Sequence, residues 1–110
     1  MNVELFVAAL ETDGHEVVVE YDGARAYARA LAEPFDLLIL DVQMPGMTGD
    51  AVCRALRKAG VVRPILAASA LAMPEQIEHA LAAGFDEYLT KPLSPLALRD
   101  AVRRHAPSAA

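Results

Sequence analysis

A single cysteine, Cys53, stands among 110 residues, so no internal disulfide can form and a reducing compartment is expected. It falls in a helical pattern, which makes it a small core residue before it is a reactive thiol. Positive charge is scarce as well: 10 lysines and arginines face 15 aspartates and glutamates, for a net charge of -5. That leaves no basic footprint, and direct nucleic-acid binding is not expected. No apolar run approaches the roughly 20 residues needed to span a bilayer. The N-terminus shows no basic segment ahead of an apolar one, so no signal peptide is read there. No membrane partner and a cytoplasmic location are the resulting expectations. There are no linkers, repeats or low-complexity segments to suggest a second domain. Residues 1–106 are expected to form one domain, with a small-residue, frayed tail at 107–110.

What is present is a globular composition, 55% hydrophobic and 23% charged, organised around the stretch from Phe35 to Gly49. Phe35, Leu37, Leu38, Ile39 and Leu40 make an apolar run too short for a helix and bounded by Pro34 and Pro45-Gly46. A strand apolar on both faces is what a parallel sheet covered by helices requires. The run ends in one carboxylate, Asp41. Ligands in open α/β sheets bind at the carboxyl ends of strands; taken alone, Asp41 could equally mark a strand end or start a turn.

The rest of the chain alternates. Val3, Phe6, Val7 and Leu10 repeat at helical spacing, with Gly14 as a stop. Val17, Val18 and Val19 are short and β-branched, a strand. Asp22 caps a second helix whose inner face reads as Ala24, Tyr27, Ala28 and Leu31. After the Asp41 strand, Thr48 caps a third helix with Val52, Ala55, Leu56 and Ala59 inward, closed by Gly60. Residues 64–68 form another buried strand, ending at Ser69. Pro74 opens a fourth helix, with Ile77, Ala80, Leu81 and Gly84 inward. Residues 86–90 make a last strand before Lys91-Pro92, and Ser94-Pro95 caps a final helix carrying Leu98, Ala101 and Val102. Five helices alternating with four strands predict a doubly wound α/β fold on a parallel sheet.

In such a sheet Asp41, Ser69 and Lys91, each at or just after a strand end, share one rim. The chemistry that fits is acceptance of a phosphoryl group by Asp41. A carboxylate can be a nucleophile, and the transferred group needs its oxygens neutralised by a cation and by hydrogen-bond donors. A hydrolase would want a base beside the nucleophile. None of His15, His79 or His105 lies at a predicted strand end on that rim, and they lack metal-site spacing.

At this point the motifs LLILD-VQMPGMTG, ILAASALAM and AAGFDEYLTKP together resemble the receiver domain of two-component response regulators, of the chemotaxis-regulator kind. The resemblance covers almost the whole chain and joins three separated motifs in order. It implies the flavodoxin-like five-stranded sheet ordered 2-1-3-4-5, with Asp41 as phosphoacceptor, Ser69 as switch hydroxyl and Lys91 contacting the phosphoryl group. It further implies Tyr88 as the aromatic switch, the Gln43 backbone carbonyl as a metal contact beside Asp41, and a cis Lys91-Pro92 bond. Mg²⁺ is the implied cofactor. The implied partners are a histidine kinase or phosphotransfer protein upstream and a downstream protein target. The domain is expected to signal as a phosphoprotein and not as an enzyme, with at most self-phosphorylation and self-dephosphorylation.

The departure from the family is at the front. Receivers begin with an apolar strand ending in an acidic pair that holds Mg²⁺, whereas Met1 to Phe6 reads as the start of the helix after that strand. Glu4 and Glu11 are helical and do not replace the pair. The metal site is therefore expected to be incomplete, with weak or absent Mg²⁺ binding. The sheet is expected either to close up or to leave a gap beside the Asp41 strand, inviting a homodimer or strand swap. Two functional classes stay open. One is a phosphorylatable receiver, read from a downstream start codon or completed by another chain. The other is a degenerate receiver acting as a phosphorylation-independent binding module.

Overall fold

The structure, a computed structural model, describes residues 3–42, 47–69, 73–90 and 93–105. In chain order these form helix α1 (Val3–Thr12), α2 (Gly23–Ala32), strand β1 (Leu38–Asp41), α3 (Gly49–Lys58), β2 (Ile65–Ser69), α4 (Pro74–Ala83), β3 (Glu87–Thr90) and α5 (Pro95–His105). The strands make one parallel sheet in the order β1-β2-β3. Asp41 pairs with Ala68 and Ser69 with Thr90, so all three strands end at the same rim.

The caps read from the sequence are realised. Asp22 accepts a hydrogen bond from the Arg25 N–H and Thr48 accepts one from Ala51. Ser94 Oγ accepts from the Ala97 N–H at the start of α5. Gly84 ends α4 with φ 118°, a left-handed backbone that a side chain disfavours. It is thus the stop of that helix and not part of its inner face.

Two apolar clusters sandwich the sheet. On one side Leu40, Ile65 and Ala67 meet Val52, Cys53 and Leu56 of α3, Ala80 of α4, and Phe85, with Leu38, Val42 and Tyr88 at the margin. On the other, Leu66 and Leu89 meet Phe6 and Leu10 of α1 and Leu98, Ala101 and Val102 of α5, with Leu37 and Ile39 at the margin. Successive residues of a strand thus belong to opposite clusters, the period of two that a pleated strand imposes. All five residues of β2 are buried, as the central strand of a doubly covered sheet must be. Each fully buried Leu or Ile there contributes about 1.5–3 kcal/mol.

Several expectations are corrected. Residues 15–21 carry no regular structure, so among the described residues the sheet has three strands instead of four. A strand exists only through its neighbours' hydrogen bonds. Among the described residues β1 pairs with β2 alone, and no strand lies between β1 and the Val17–Val19 segment. The valines still partition: Val17 is packed against the second cluster and Val18 is exposed. In α2 the buried positions are Gly23 and Ala30 with Tyr27 half-buried, whereas Ala24, Ala28 and Leu31 face solvent. In that alanine-rich helix, small residues lie on every side and cannot by themselves orient it. Leu81 and Ala59, expected inward, are likewise exposed. The tail at 107–110 and the Lys91-Pro92 bond lie outside the described residues.

Polar clamps tie the layers at their ends. Arg57 of α3 donates to the carbonyls of Val61, Arg63 and Gly84 and, at 2.8 Å, to Asp86 Oδ2. The same Asp86 oxygen accepts from the Ile65 N–H at 2.9 Å. Across the other layer, Arg99 of α5 pairs with Asp13 at the end of α1, and Glu87 of β3 accepts from Arg104 and His105.

Removing the Arg57 guanidinium strips three carbonyls of a donor and takes one of two donors from Asp86 Oδ2. Arg57→Ala should lower stability by about 2–4 kcal/mol, and Arg57→Lys should recover less than half of it, because an ammonium cannot reach four acceptors at once. Urea unfolding midpoints measure both. The acid pairs set a pH dependence. The hydrogen bond from Arg99 holds Asp13 below its ordinary 3.8. Burial alone would raise Glu87 above its ordinary 4.5, but hydrogen bonds from His105 and Arg104 outweigh it and lower it. Depressed carboxyl values stabilise the fold above the unfolded value, and the gain is lost as pH falls through the folded one. Stability contributed by these pairs should be intact at neutral pH and fall away below about pH 4.5, more shallowly in Asp13→Asn than in the parent. Unfolding midpoints across that range are the measurement.

Candidate functional site

The rim is built by register. Asp41 closes β1 and is half-buried. Ser69 closes β2 and is fully buried, the single polar residue among the described residues that is. A buried hydroxyl requires a partner, and Ser69 does take part in polar interaction. Thr90 closes β3 and is exposed. Asp41, Ser69 and Thr90, the last residues of the three strands, therefore share one edge. Lys91, the residue after Thr90, and Gln43, two after Asp41, lie outside the described residues.

The pleat separates the functional groups by face. Ala67 pairs with Tyr88 and Ser69 with Thr90, so Ser69 and Tyr88 stand on the same side of the sheet, the side covered by α3 and α4. Tyr88 is half-buried against that cluster. Asp41 alternates to the other side of the pleat and reaches the rim only because the strand ends with it.

What holds the carboxylate's strand end is a glycine to which the sequence reading gave no role. The Gly49 N–H donates to the Val42 carbonyl at 3.0 Å, seating the first turn of α3 directly on the end of β1. A Cβ on Gly49 would lie 2.5 Å from the Asp41 carbonyl oxygen and 2.8 Å from the Val42 Cα, both backbone atoms. Only a residue without a side chain allows that approach. The usable signal is local: a glycine straight after the Thr48 cap, where a side chain favours the helix, implies close backbone contact. Gly23 opens α2 in the same way, against the Met47 carbonyl.

His105 lies against Glu87 at the start of β3, the end of the sheet opposite the rim. His79 stands on α4, 3.5 Å from Asp50 of α3, and Glu4 and Glu11 are exposed positions of α1. Mg²⁺ takes oxygen ligands in near-octahedral geometry, and among the described residues no three His, Cys, Asp or Glu side chains converge as metal ligands. Among the described residues no helix is long and apolar enough to cross a membrane. Cys53 is fully buried, and desolvation pushes its thiol up to about 11, which keeps it protonated and unreactive.

With this geometry in place, comparison with known proteins assigns the class. The response regulator receiver domain model matches residues 1–103. The chain is 39% identical over 106 residues to the sensor histidine kinase GacS of Pseudomonas protegens, an alignment covering 92% of this chain and 12% of GacS. It is 38% identical over 95 residues to the alkaline phosphatase synthesis transcriptional regulatory protein PhoP of Bacillus subtilis, covering 84% of this chain and 39% of PhoP. Among solved structures, the chemotaxis protein CheY4 of Vibrio cholerae superposes with a TM-score of 0.86 at 33% identity, over 93% of this chain and 87% of CheY4. The chain belongs to the response regulator receiver domain family of two-component systems. It spans a small part of the first curated relatives, about one eighth of GacS.

Gly49→Ala should force α3 off the end of β1, costing about 1–3 kcal/mol and displacing Asp41. The urea midpoint would report the first effect. Amide chemical shifts of residues 40–42 and 49–52, changing while those of α1 and α5 stay in place, would report the second.

Proposed function

We propose that the chain is a receiver that accepts a phosphoryl group on Asp41 from a phosphohistidine of a histidine kinase or phosphotransfer protein, and that it signals by protein–protein contact. The observation that carries this is the joint placement of Asp41 and the buried Ser69 hydroxyl at adjacent strand ends of one rim. Lys91 is the next residue along the chain from Thr90, which closes β3. A carboxylate oxygen of Asp41 attacks phosphorus as the phosphorus–nitrogen bond of the donor breaks, and the imidazole leaves with the bonding pair. Lys91 offsets charge on the transferred group, and Ser69 donates a hydrogen bond to one of its oxygens. Tyr88, on the same face as Ser69, follows the hydroxyl and passes the change to the surface. The domain, residues 1–106, works in the cytoplasm and carries no further catalytic activity.

The second reading is a degenerate receiver, binding its partner through the same surface without efficient phosphotransfer. The open side of β1 would also favour self-association or strand exchange.

Acetyl phosphate with Mg²⁺, followed by intact mass, separates the two. The chain as given should gain one phosphoryl group slowly. Fusing an apolar strand that ends in Asp-Asp ahead of α1 should raise the rate at least about tenfold, equivalent to about 1.4 kcal/mol of barrier. Asp41→Asn in that fused form should abolish it. Persistence of the added mass in Asp41→Asn, or no gain in the fused form, would overturn Asp41 as the acceptor.

A further inference from the structure

Helix α2 opens against the turn that follows Asp41. Asp22 caps it, accepting the Arg25 N–H at 3.0 Å, and Gly23 is its first residue and is buried. A Cβ on Gly23 would overlap the Met47 carbonyl oxygen and lie 2.8 Å from the carbonyl carbon. Both are backbone atoms, so no side-chain rotation relieves the approach. Met47 leads directly into Thr48 and Gly49, the cap and the first residue of α3. Gly49 in turn donates to the Val42 carbonyl at 3.0 Å and has no room for a Cβ beside the Asp41 carbonyl. The backbone of residues 47–49 is thus wedged between the first turn of α2 and the end of β1.

The wedge bears on how the carboxylate is placed. Among the described residues β1 is paired along one edge, to β2, where the Val42 N–H donates to the Ala68 carbonyl. On the helix side the strand end is met by Gly49, and Gly49 is backed by α2 through Met47. Helix α2 is itself seated, by Ala30 and Tyr27 in the cluster it shares with α3 and by Arg29, which pairs with Glu20 and Glu33 at 2.7 Å each. Close-packed backbone transmits a displacement instead of absorbing it. Phosphoryl transfer is almost wholly a matter of positioning and electrostatics, and a misplacement of about 1 Å can cost about 100-fold in rate. We infer that Gly23 is a positioning residue for phosphoryl acceptance. It lets α2 close on the Met47 carbonyl and, through residues 47–49, fixes where β1 delivers the Asp41 carboxylate. The part in the reaction rests on Asp41 being the acceptor; the seating of the strand end does not.

The test compares the 110-residue chain with Gly23→Ala and Val102→Ala. The second variant trims a buried side chain of α5 in the opposite cluster, so it loses stability without touching the turn. Acetyl phosphate uptake with Mg²⁺ is followed by intact mass at a temperature where circular dichroism shows all three folded. Gly23→Ala should slow uptake at least about tenfold, and Val102→Ala should leave it near the parent rate. In the unphosphorylated proteins, amide shifts at Asp41, Val42, Thr48 and Gly49 should change in Gly23→Ala and hold in Val102→Ala. If Gly23→Ala does not fold, Tyr27→Ala takes its place, since it loosens α2 without adding an atom at Met47, and the same effects are expected at smaller size. Uptake as fast as the parent's, equal slowing in Val102→Ala, or amide shifts that stop within α2 would each overturn the inference. A parent that gains no mass overturns Asp41 as acceptor, and with it the part of Gly23 in the reaction. Shifts at Asp41 and Val42 would then still establish the seating of the strand end, and their absence would overturn that as well.

Discussion

Everything in this fold leans on β2. Its five residues are buried on both faces, and its backbone is paired on both edges, to β1 and to β3. A strand so enclosed accepts no polar side chain except where the chain leaves the interior, and Ser69 stands at that point. The two apolar clusters are the two faces of the same sheet, and helices α3 and α4 on one side and α1 and α5 on the other are held by what β2 and its neighbours present to them. The functional rim follows from the same constraint, since parallel strands in register bring their last residues to one edge whatever those residues are.

How much of this could be read from residues alone depended on how strongly each segment's chemistry distinguished its alternatives. The β1 and β2 runs are apolar, short and bounded by proline, so their type and their ends were legible, and with them the shared edge of Asp41 and Ser69. Helix α5 was legible too, because Leu98, Ala101 and Val102 lie among charged neighbours. Helix α2 was not, since alanine on every side erases the contrast that orients a helix. The Val17–Val19 segment has every local attribute of a strand, yet β structure is a property of pairs, and propensity cannot supply a neighbour. Gly49 escaped for a related reason. Its importance lies in the distance to a backbone carbonyl eight residues earlier, which no local pattern encodes.

The family relation bears on how the layers of this chain are held together. The match extends across nearly all of it, and the overlay with CheY4 spans most of both chains. The helices and the three paired strands therefore keep the family's arrangement even with one side of β1 unpaired by any described strand. The layers are secured by contacts that do not pass through that side: the α1–α5 packing with its Asp13–Arg99 pair, and the α3 anchorage at Arg57.

The Arg57 clamp has a mechanical consequence. Its acceptors, the carbonyls of Val61, Arg63 and Gly84 and the Asp86 carboxylate, all sit where β2 and β3 begin, at the opposite end of the sheet from the rim. Asp86 adds its own bonds to both the N–H and the carbonyl of Ile65. The base of the α3–β2–β3 layer is thereby riveted, so α3 can tilt about that end but cannot slide along the strands without breaking the clamp.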